Sequence, residues 1–351
     1  MRILFGSLVI IIFGILGFIA WAAFPWSLSE KKVEGKIASV TPDVEHTSNE
    51  EHPSVLKILT FNLGFLYGEG SEGPGYQHRD KKYYEEALTK LAQEIQEWGA
   101  DIVCFQEIDF ESSRSGDINQ AEFIAQKAGY PYYAEATSWD ANYIPFPYWP
   151  LRNNFGRMNS GGAILSRFPI TKNEVILLKK PDSQPWWYNL FYLHRYLQEV
   201  SIEINDREYK FINLHLEAFD TNDRQEQIKR IVSEIKDKKI DFITGDFNML
   251  PPSATKRSKF FNEDNYENDP SYENMQKSGL VEVIPDEIYA KDESSYFTFP
   301  AWKPDRRLDY IWYRPELKMM KAEVLNSASS DHLPLRATFQ ISGPNFNPYS
   351  Q

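Results

Sequence analysis

Two short stretches of the sequence pair polar side chains on one face of an extended segment. In GDFN, residues 245–248, alternation along a strand places Asp246 and Asn248 on the same side and turns Phe247 toward the core. In FINLHLE, residues 211–217, the same alternation groups Asn213 with His215. Because Asp and Asn also favour loops, a turn or capping role is the alternative for each pair taken alone.

An acidic residue inside an apolar strand indicates a specific partner. Asp309 lies within RLDYIW, where burial of its carboxylate would cost free energy unless another group offset the desolvation. His332, which follows Asp331 at the mouth of the strand HLPLRATFQI, supplies a suitable imidazole. A carboxylate that holds a histidine in one tautomer makes it a competent base. The two residues are therefore predicted to act as a pair.

Oxygen ligands for a metal ion follow two further apolar runs. Asn62 ends VLKILTFN and Glu107 ends DIVCFQE, and such hard oxygen donors suit Mg²⁺. A zinc site is disfavoured, because the sequence has no Cys/His cluster and no HExxH spacing. The motifs GxxxxGK[ST] and GxSxG are also missing, which argues against P-loop nucleotide hydrolysis and serine esterase chemistry.

The elements that position these residues alternate between strand and helix. Between the first two strands, apolar residues recur at steps of three and four and predict a helix that Gly99 ends. A second strand–helix–strand unit covers FINLHLE, residues 225–235 and DFITGDFN, and Cys104 is expected to be a buried thiol. Many strands with few helices predict two sheets packed face to face with helices outside.

Seven motifs in order resemble the endonuclease/exonuclease/phosphatase superfamily, which includes DNase-like nucleases, neutral sphingomyelinases, inositol polyphosphate phosphatases and deadenylases. The motifs, within a resemblance from about Leu56 to Phe339, are Asn62, QE at 106–107, GGAILSRFPI at 161–170, NLHLEA from 213, GDFN from 245, RLDY from 307 and SDH from 330. The resemblance implies a four-layered α/β sandwich, in which two packed mixed β-sheets are flanked by helices, and hydrolysis of a phosphate ester with one or two metal ions.

The resemblance also implies a metal site. At the matched positions Glu107 would bind Mg²⁺, or Mn²⁺ as a substitute, with help from Asn62, and Asp331 would lie in or next to the metal shell. Apurinic-site nucleases carry an acidic residue two positions after the first Asn, where this chain has Gly64. This departure disfavours abasic-DNA repair and favours the sphingomyelinase, phosphatase and DNase-like branches.

The catalytic roles implied by the resemblance fall on five residues. Asp309 would orient His332, and Asp246 with Asn248 would position or activate the attacking water. His215 would donate a hydrogen bond to the phosphoryl oxygen as charge develops. Which of Asp246 and His332 removes the proton from water is left open.

The amino-terminal segment contains no charged residue from Ile3 to Pro25, which is long enough for a transmembrane anchor within residues 1–26. A cleaved signal sequence is the alternative, because Ala20 and Ala22 form an A-x-A pattern. Arg2 favours a cytoplasmic start, whereas Lys31, Lys32 and Lys36 on the other flank favour the opposite orientation. The rest of the chain is expected on the extracytoplasmic side of the membrane. The predicted organisation continues with a flexible linker over 27–53, a catalytic domain over 54–343 and a tail over 344–351.

Two aromatic insertions, residues 143–155 and 185–196, bear on the substrate. Trp and Tyr concentrate at bilayer interfaces, which favours a membrane lipid bilayer as partner and a phospholipid or sphingolipid headgroup as substrate. The aromatics could instead fill loop interiors or stack bases, so an extracytoplasmic nuclease is the alternative, although a net charge of −12 disfavours binding to long nucleic acid. A binding module without turnover is a further alternative. No obligate protein partner is predicted, and the basic residues expected to meet phosphate are Arg152, Arg157, Arg306 and Arg307.

Overall fold

The fold consists of two β-sheets packed face to face with helices on their outer surfaces, as expected. The structure is a computed structural model that describes residues 2–25, 29–44, 53–68, 79–262 and 264–341. Within these ranges, both sheets have seven strands, and each mixes parallel with antiparallel pairs. The predicted tail over 344–351 lies outside the described residues.

The strands and helices are numbered in chain order. The strands are β1 Lys32–Glu34, β2 Lys36–Ser39, β3 Val55–Asn62, β4 Ile102–Asp109, β5 Tyr132–Ile144, β6 Gly156–Ser166, β7 Ile170–Leu177, β8 Tyr196–Ile204, β9 Arg207–His215, β10 Phe242–Asp246, β11 Val281–Glu282, β12 Asp309–Tyr313, β13 Lys318–Val324 and β14 Leu335–Gln340. The helices are α1 Arg2–Ala22, α2 Lys81–Trp98, α3 Gln120–Ala128, α4 Trp186–Asn189, α5 Thr221–Ile235, α6 Ser271–Gln276 and α7 Asp286–Tyr289.

The strand order brings the carboxyl ends of four central strands to the same edge of the sandwich. One sheet runs β1-β7-β8-β9-β10-β12-β11 and the other runs β13-β14-β3-β4-β6-β5-β2. Strands β3 and β4 are parallel, with Asn62 paired to Gln106, and β9 and β10 are parallel, with His215 paired to Asp246. Polar residues at the ends of these strands therefore meet at one edge.

Strand alternation separates the core between the sheets from the cores under the helices. In β3, Leu56 and Ile58 pack between the sheets, whereas Leu59 and Phe61 pack against the apolar faces of α2 and α3. Helix α2 buries the predicted periodic positions, begins at the cap Asp80 and ends at Gly99, whose φ of 61° is left-handed. Helices α5 and α6 cover the other sheet in the same way.

A chain of buried amides crosses the interface between the two sheets. Gln106 of β4 donates to Asn213 of β9 over 2.6 Å, and Asn213 donates to Gln198 of β8 over 3.2 Å. Gln198 donates to Asn173 of β7 over 3.1 Å, and Asn173 returns to the first sheet by donating to the carbonyl of Glu135 over 2.9 Å. Buried amides must be hydrogen-bonded to avoid a desolvation cost, so this amide chain fixes one sheet against the other.

The segment between residues 29 and 44 differs from the flexible linker expected over 27–53. Strand β1 pairs with β7 at the edge of one sheet, and β2 pairs with β5 at the edge of the other. The side chain of Asn173 also donates to the carbonyl of Lys36 over 2.9 Å. Backbone pairing with exposed sheet edges, which local composition does not reveal, gives this edge segment its structure.

Helix α1 packs its carboxyl end on the domain. Ala22 and Ala23 are buried, and the backbone and side chain of Asn142 in β5 donate to the carbonyls of Phe24 and Trp21. None of the helices within the described residues combines the length and apolar character needed to cross a bilayer. This finding does not support the transmembrane segment expected within residues 1–26.

The buried thiol of Cys104 gives a direct test of the packing between the sheets. The side chain has no exposed surface, and burial raises the pKa of this thiol to about 12, so the reactive thiolate is not populated at pH 8. We expect no reaction with a disulfide reagent such as DTNB in the native protein at pH 8 and one reactive thiol per chain in guanidinium chloride. Rapid labelling of the native protein would contradict this packing.

Candidate active site

The eight residues predicted from the sequence come together at one edge of the sandwich. Six of them line a cavity of about 410 Å³, namely Glu107, His215, Asp246, Asn248, Asp331 and His332. Asn62 and Asp309 lie behind this lining and hydrogen-bond to it. Both sheets contribute, so the cavity exists only where the two sheets meet.

A β-bulge aims Glu107 into the cavity. The register between β4 and β6 shifts between Phe105 and Ile108, and Glu107 has a φ of 50°, which is left-handed and strained for a residue with a side chain. The carboxylate accepts a hydrogen bond from Asn62 over 3.1 Å. Burial, and then the nearby carboxylate of Asp331, raises the pKa of Glu107, while the bond from Asn62 opposes this rise.

Asn62 links the two sheets within the site. Its side-chain nitrogen donates to Asp246 of the opposite sheet over 2.9 Å as well as to Glu107. Its side-chain oxygen accepts the backbone N–H of Gly64 over 3.0 Å. In this arrangement Asn62 positions two carboxylates, and its service as a metal ligand stays a prediction.

Gly64 leaves room for the carboxylate of Asp331. A Cβ at position 64 would lie 2.6 Å from Asp331 Oδ1, and the φ of +49° also favours glycine. Ser330 fastens the segment that carries Asp331 by donating to the carbonyl of Asn62 over 2.7 Å. An acidic group from the end of the chain therefore occupies the space that a side chain at position 64 would need.

Asp309 and His332 form the predicted pair. His332 Nδ1 lies 2.8 Å from Asp309 Oδ2, and His332 Nε2 points toward Asp246 Oδ2 at 3.7 Å. Burial lowers the pKa of His332, but the carboxylates of Asp309 and Asp246 outweigh it and raise this pKa to about 10. Burial also raises the pKa of Asp246 to about 7, against the opposing effect of His332. The imidazole is thus held in its protonated form beside a carboxylate that faces the same cavity.

Asn248 completes the turn that presents Asp246. Its backbone N–H donates to Asp246 Oδ1 over 2.9 Å, and its side chain donates to the carbonyl of Leu216 over 3.0 Å. Its φ of 50° is in the left-handed region, which Asn tolerates better than most residues. Asn248 therefore fixes the orientation of the Asp246 carboxylate.

Arg195 is a member of the site that the sequence analysis did not identify. The guanidinium is buried, lines the cavity and lies 2.6 Å from His215 Nε2 through Nη1. Burial and then the neighbouring cation lower the pKa of His215 well below its ordinary value, so the imidazole is neutral and accepts this hydrogen bond. Only the pairing of Tyr196 with His215 reveals this proximity, because the two residues are distant in sequence.

Three of the four arginines predicted to meet phosphate have acidic partners, and Arg152 is exposed. Arg306 pairs with Asp264 and Asp305, and Arg307 is buried against Glu282. Arg157 pairs with Asp140. The expectation for Arg306 and Arg307 was wrong, because a strand-entry position that looks exposed in the sequence is covered by acidic residues from other loops.

The donor set fits a divalent cation. Glu107 and Asp331 place carboxylates close enough for one to raise the pKa of the other, and a cation between such groups would relieve this repulsion. Asp246, Asp309 and His332 also bring potential ligand atoms within 4.8 Å of one another. In that group the Asp309–His332 hydrogen bond occupies the imidazole Nδ1, which favours the pair of Glu107 and Asp331 as the ligands.

The arrangement defines a class of enzyme. Clustered carboxylates for a cation, a carboxylate–imidazole pair and a buried guanidinium at the edge of a two-sheet sandwich are the parts of a metal-dependent phosphoesterase. The model of the Endonuclease/Exonuclease/phosphatase family matches residues 59–332, and the chain belongs to this family. Members of this family hydrolyse phosphoester bonds with the help of divalent metal ions.

Solved structures share the fold at low sequence identity. An endonuclease/exonuclease/phosphatase from Beutenbergia cavernae DSM 12333 is 18% identical, with a TM-score of 0.60 over 83% of this chain and 73% of that one. A humanized D. rerio TDP2 is 14% identical, with a TM-score of 0.53 over 82% of this chain and all of that one. Mannosyl-6-phosphatase of Bacteroides thetaiotaomicron VPI-5482 is 17% identical, with a TM-score of 0.51 over the same shares. No curated protein matches the chain.

Substitution of His332 and Glu107, which both line the cavity, tests the assignment. We expect His332→Ala and Glu107→Ala each to lower kcat/KM for a phosphate ester by about 100-fold to 1,000-fold or more, because each removes a group that faces the reacting phosphate. Thermal unfolding of each variant checks that the fold survives. Phe261→Ala, which truncates an exposed ring, is the matched control and is expected to keep most of the turnover. A His332 or Glu107 variant with near wild-type turnover would contradict the site.

Proposed function

We propose that this chain is a Mg²⁺-dependent phosphodiesterase that hydrolyses the headgroup ester of a membrane lipid. The observation that carries the proposal is an aromatic surface at the mouth of the catalytic cavity. The two aromatic insertions come from distant parts of the sequence, and both reach this mouth.

The aromatic mouth consists of Tyr148, Trp149, Trp186, Trp187 and Phe219. Their exposed fractions are 57%, 79%, 75%, 55% and 65%, and Tyr148, Trp187 and Phe219 also line the cavity. Large exposed apolar patches mark interaction sites, and Trp and Tyr are the residues that favour the bilayer interface. These features support lipid contact at the place where the headgroup ester would enter.

Other aromatic residues of the insertions pack inside the loops, which was the alternative interpretation of their composition. Phe146 and Phe155 lie 5.3 Å apart in an edge-on contact, and Trp139 contacts Phe155 at 6.1 Å. These rings form a small cluster with Ile144 and Met158. The packed rings hold the wall of the cavity, and the exposed rings remain free to contact a bilayer.

Helix α1 extends the apolar surface from the same strand that leads to the aromatic mouth. Phe18 contacts Tyr143 near the end of β5, and Leu8 and Phe13 are exposed along the helix. The first aromatic insertion follows directly after β5. This continuity supports membrane contact on one side of the protein. An extracytoplasmic location of the domain stays a prediction from the charges that flank the amino-terminal segment.

The chain's own residues suggest how hydrolysis would proceed. A bound divalent cation supplies charge that stabilises the phosphoryl oxygen. Asp246 and His332 face the same space and are placed to orient a water molecule, while Asp309 fixes the imidazole. Because nearby carboxylates raise the pKa of His332 to about 10, Asp246, whose pKa is raised to about 7, is the group placed to accept the proton. His215 Nε2 lies 3.5 Å from Asp246 Oδ2 and accepts a hydrogen bond from Arg195, so Arg195 is the group placed to donate as negative charge develops. Donation by His215 to the phosphoryl oxygen stays a prediction.

A nuclease is the second candidate function, because exposed aromatic rings can also stack unpaired bases. The net charge of −12 disfavours binding to a polyanion, and the acidic partners of Arg306 and Arg307 reduce the positive potential near the site. Both observations favour the lipid ester.

Metal dependence and substrate class can be measured with purified protein. We expect hydrolysis of bis-p-nitrophenyl phosphate with Mg²⁺, loss of activity in EDTA and recovery when Mg²⁺ is restored, because the carboxylates need a cation to bind the ester. A second assay compares release from sphingomyelin, glycerophospholipids, phosphoinositides and single-stranded DNA. Activity that is confined to DNA would replace the lipid proposal with the nuclease, and turnover that is unaffected by EDTA would contradict metal dependence.

Membrane contact can be tested apart from turnover. With a chain that begins at residue 29, so that α1 is removed, we expect flotation with phospholipid vesicles and at least about tenfold weaker binding for the double substitution Trp149→Ser and Trp186→Ser. Each buried indole contributes about 2 kcal/mol or more at an interface, which supports an effect of this size. Met320→Ser on β13, which is 56% exposed, is the matched control. Equal flotation of all three proteins would contradict the role of the aromatic mouth.

A further inference from the structure

Arg114 is a second buried arginine that lines the catalytic cavity and has no role in the site described above. It lies in a short 3₁₀ helix, Ser113–Ser115, that follows β4, and only 4% of its surface is exposed. Its Nε donates to Asp109 Oδ2 and its Nη2 donates to Asp109 Oδ1, each over 3.0 Å, and Asp109 is fully buried. One edge of the guanidinium is therefore fixed by a two-point hydrogen bond.

Aromatic rings hold the plane of the same guanidinium. Its central carbon lies 3.4 Å from the ring centre of Phe65, 4.9 Å from that of Phe155 and 5.6 Å from that of Trp139. Stacking on aromatic faces is a geometry that arginine adopts more readily than lysine. The side chain is thus fixed in direction before any ligand arrives.

The remaining edge of the guanidinium is open. Within the described part of the chain, Arg114 Nη1 has no hydrogen-bond partner, although the residue is almost completely buried. A nitrogen with two N–H groups in such a place needs an oxygen acceptor. A ligand in the cavity that Arg114 shares with Glu107 and Arg195 could supply this oxygen.

We propose that Arg114 is a specificity residue that binds a second anionic group on the substrate, a carboxylate or a phosphate carried by the headgroup. The inference rests on the proposed function, because it assumes a phosphodiester bound at the carboxylate cluster with its headgroup in the aromatic cavity. A fixed cation with open donors attracts an anionic oxygen and repels a quaternary ammonium. Three of the aromatic rings that line the cavity already contact Arg114, so a quaternary ammonium that approached these rings would meet a cation.

The inference can be tested with two soluble phosphodiesters, glycerophosphoserine and glycerophosphocholine. Binding is measured by titration calorimetry in Mg²⁺ buffer with full-length protein that carries His332→Ala to prevent turnover. We expect glycerophosphoserine to bind at least about tenfold more tightly, as one hydrogen bond between charged groups would give. Arg114→Gln is expected to remove this preference, because it weakens the binding of glycerophosphoserine and leaves the binding of glycerophosphocholine unchanged.

Two further variants separate recognition from folding. Because Arg114→Gln leaves the Asp109 carboxylate buried without its partner, the double variant Arg114→Gln with Asp109→Asn removes both charges and should lose the preference while remaining folded. Lys318→Gln removes a charge from an exposed position on β13, which does not line the cavity, and should keep the preference. If Arg114 had a merely structural role, Arg114→Gln would weaken the binding of both ligands equally.

The outcomes distinguish failure of this inference from failure of the proposed function. The specificity role is overturned if the protein with Arg114 binds the two ligands with equal affinity, or if Arg114→Gln lowers the affinity for both ligands equally. Either result counts against the role even if bis-p-nitrophenyl phosphate is hydrolysed. Serine preference that disappears in Arg114→Gln supports the role even if that generic ester is not hydrolysed. In the second case the proposed phosphodiesterase activity fails and the anionic subsite stands.

Discussion

The hydrogen bonds between the two sheets are the constraint on which the site depends. Gln106 and Asn213 join across the core, and at the edge Asn62 of one sheet donates to Asp246 of the other. Strand side chains alternate, so a slip of one residue in any central strand would turn its functional group away from the cavity. Amides that must be satisfied in the core oppose such a slip, because each unpaired amide would cost about 1–3 kcal/mol. The core therefore specifies the register that the chemistry requires.

The carboxylates at the active-site edge of the sandwich repel one another when no ligand is bound, and such unfavourable electrostatics are typical of a functional site. Glu107, Asp246 and Asp331 converge on one cavity, and burial raises the pKa of the first two. The fold tolerates this arrangement because Asn62 donates to Glu107 and Asp246, and the imidazole of His332 also faces Asp246. A bound divalent cation would neutralise the charge of these carboxylates more completely than the hydrogen bonds and the imidazole do, and a phosphate ester would in turn balance the charge of the cation.

Sequence reasoning worked where a local pattern carried the information. The apolar face of α2 and the two strand–helix–strand units could be predicted from periodicity, and the Asp309–His332 contact from the cost of burying an acid. It failed where long-range pairing decides. Arg195 reaches His215 only through the register of β8 with β9, Arg306 and Arg307 meet acids from separate loops, and β1 and β2 acquire strand structure from the sheet edges that they join. None of these contacts has a local signature.

The edge segment over residues 29–44 has a practical consequence for anyone who shortens the chain. A protein that begins at residue 53 would keep every residue of the active site, yet it would leave the backbone donors and acceptors of β5 and β7 without their present partners. Open strand edges recruit other strands, so such a truncation would invite self-association and low solubility. The boundary that motif matching suggests and the boundary that yields a well-behaved sample are therefore different positions, separated by a pair of short strands.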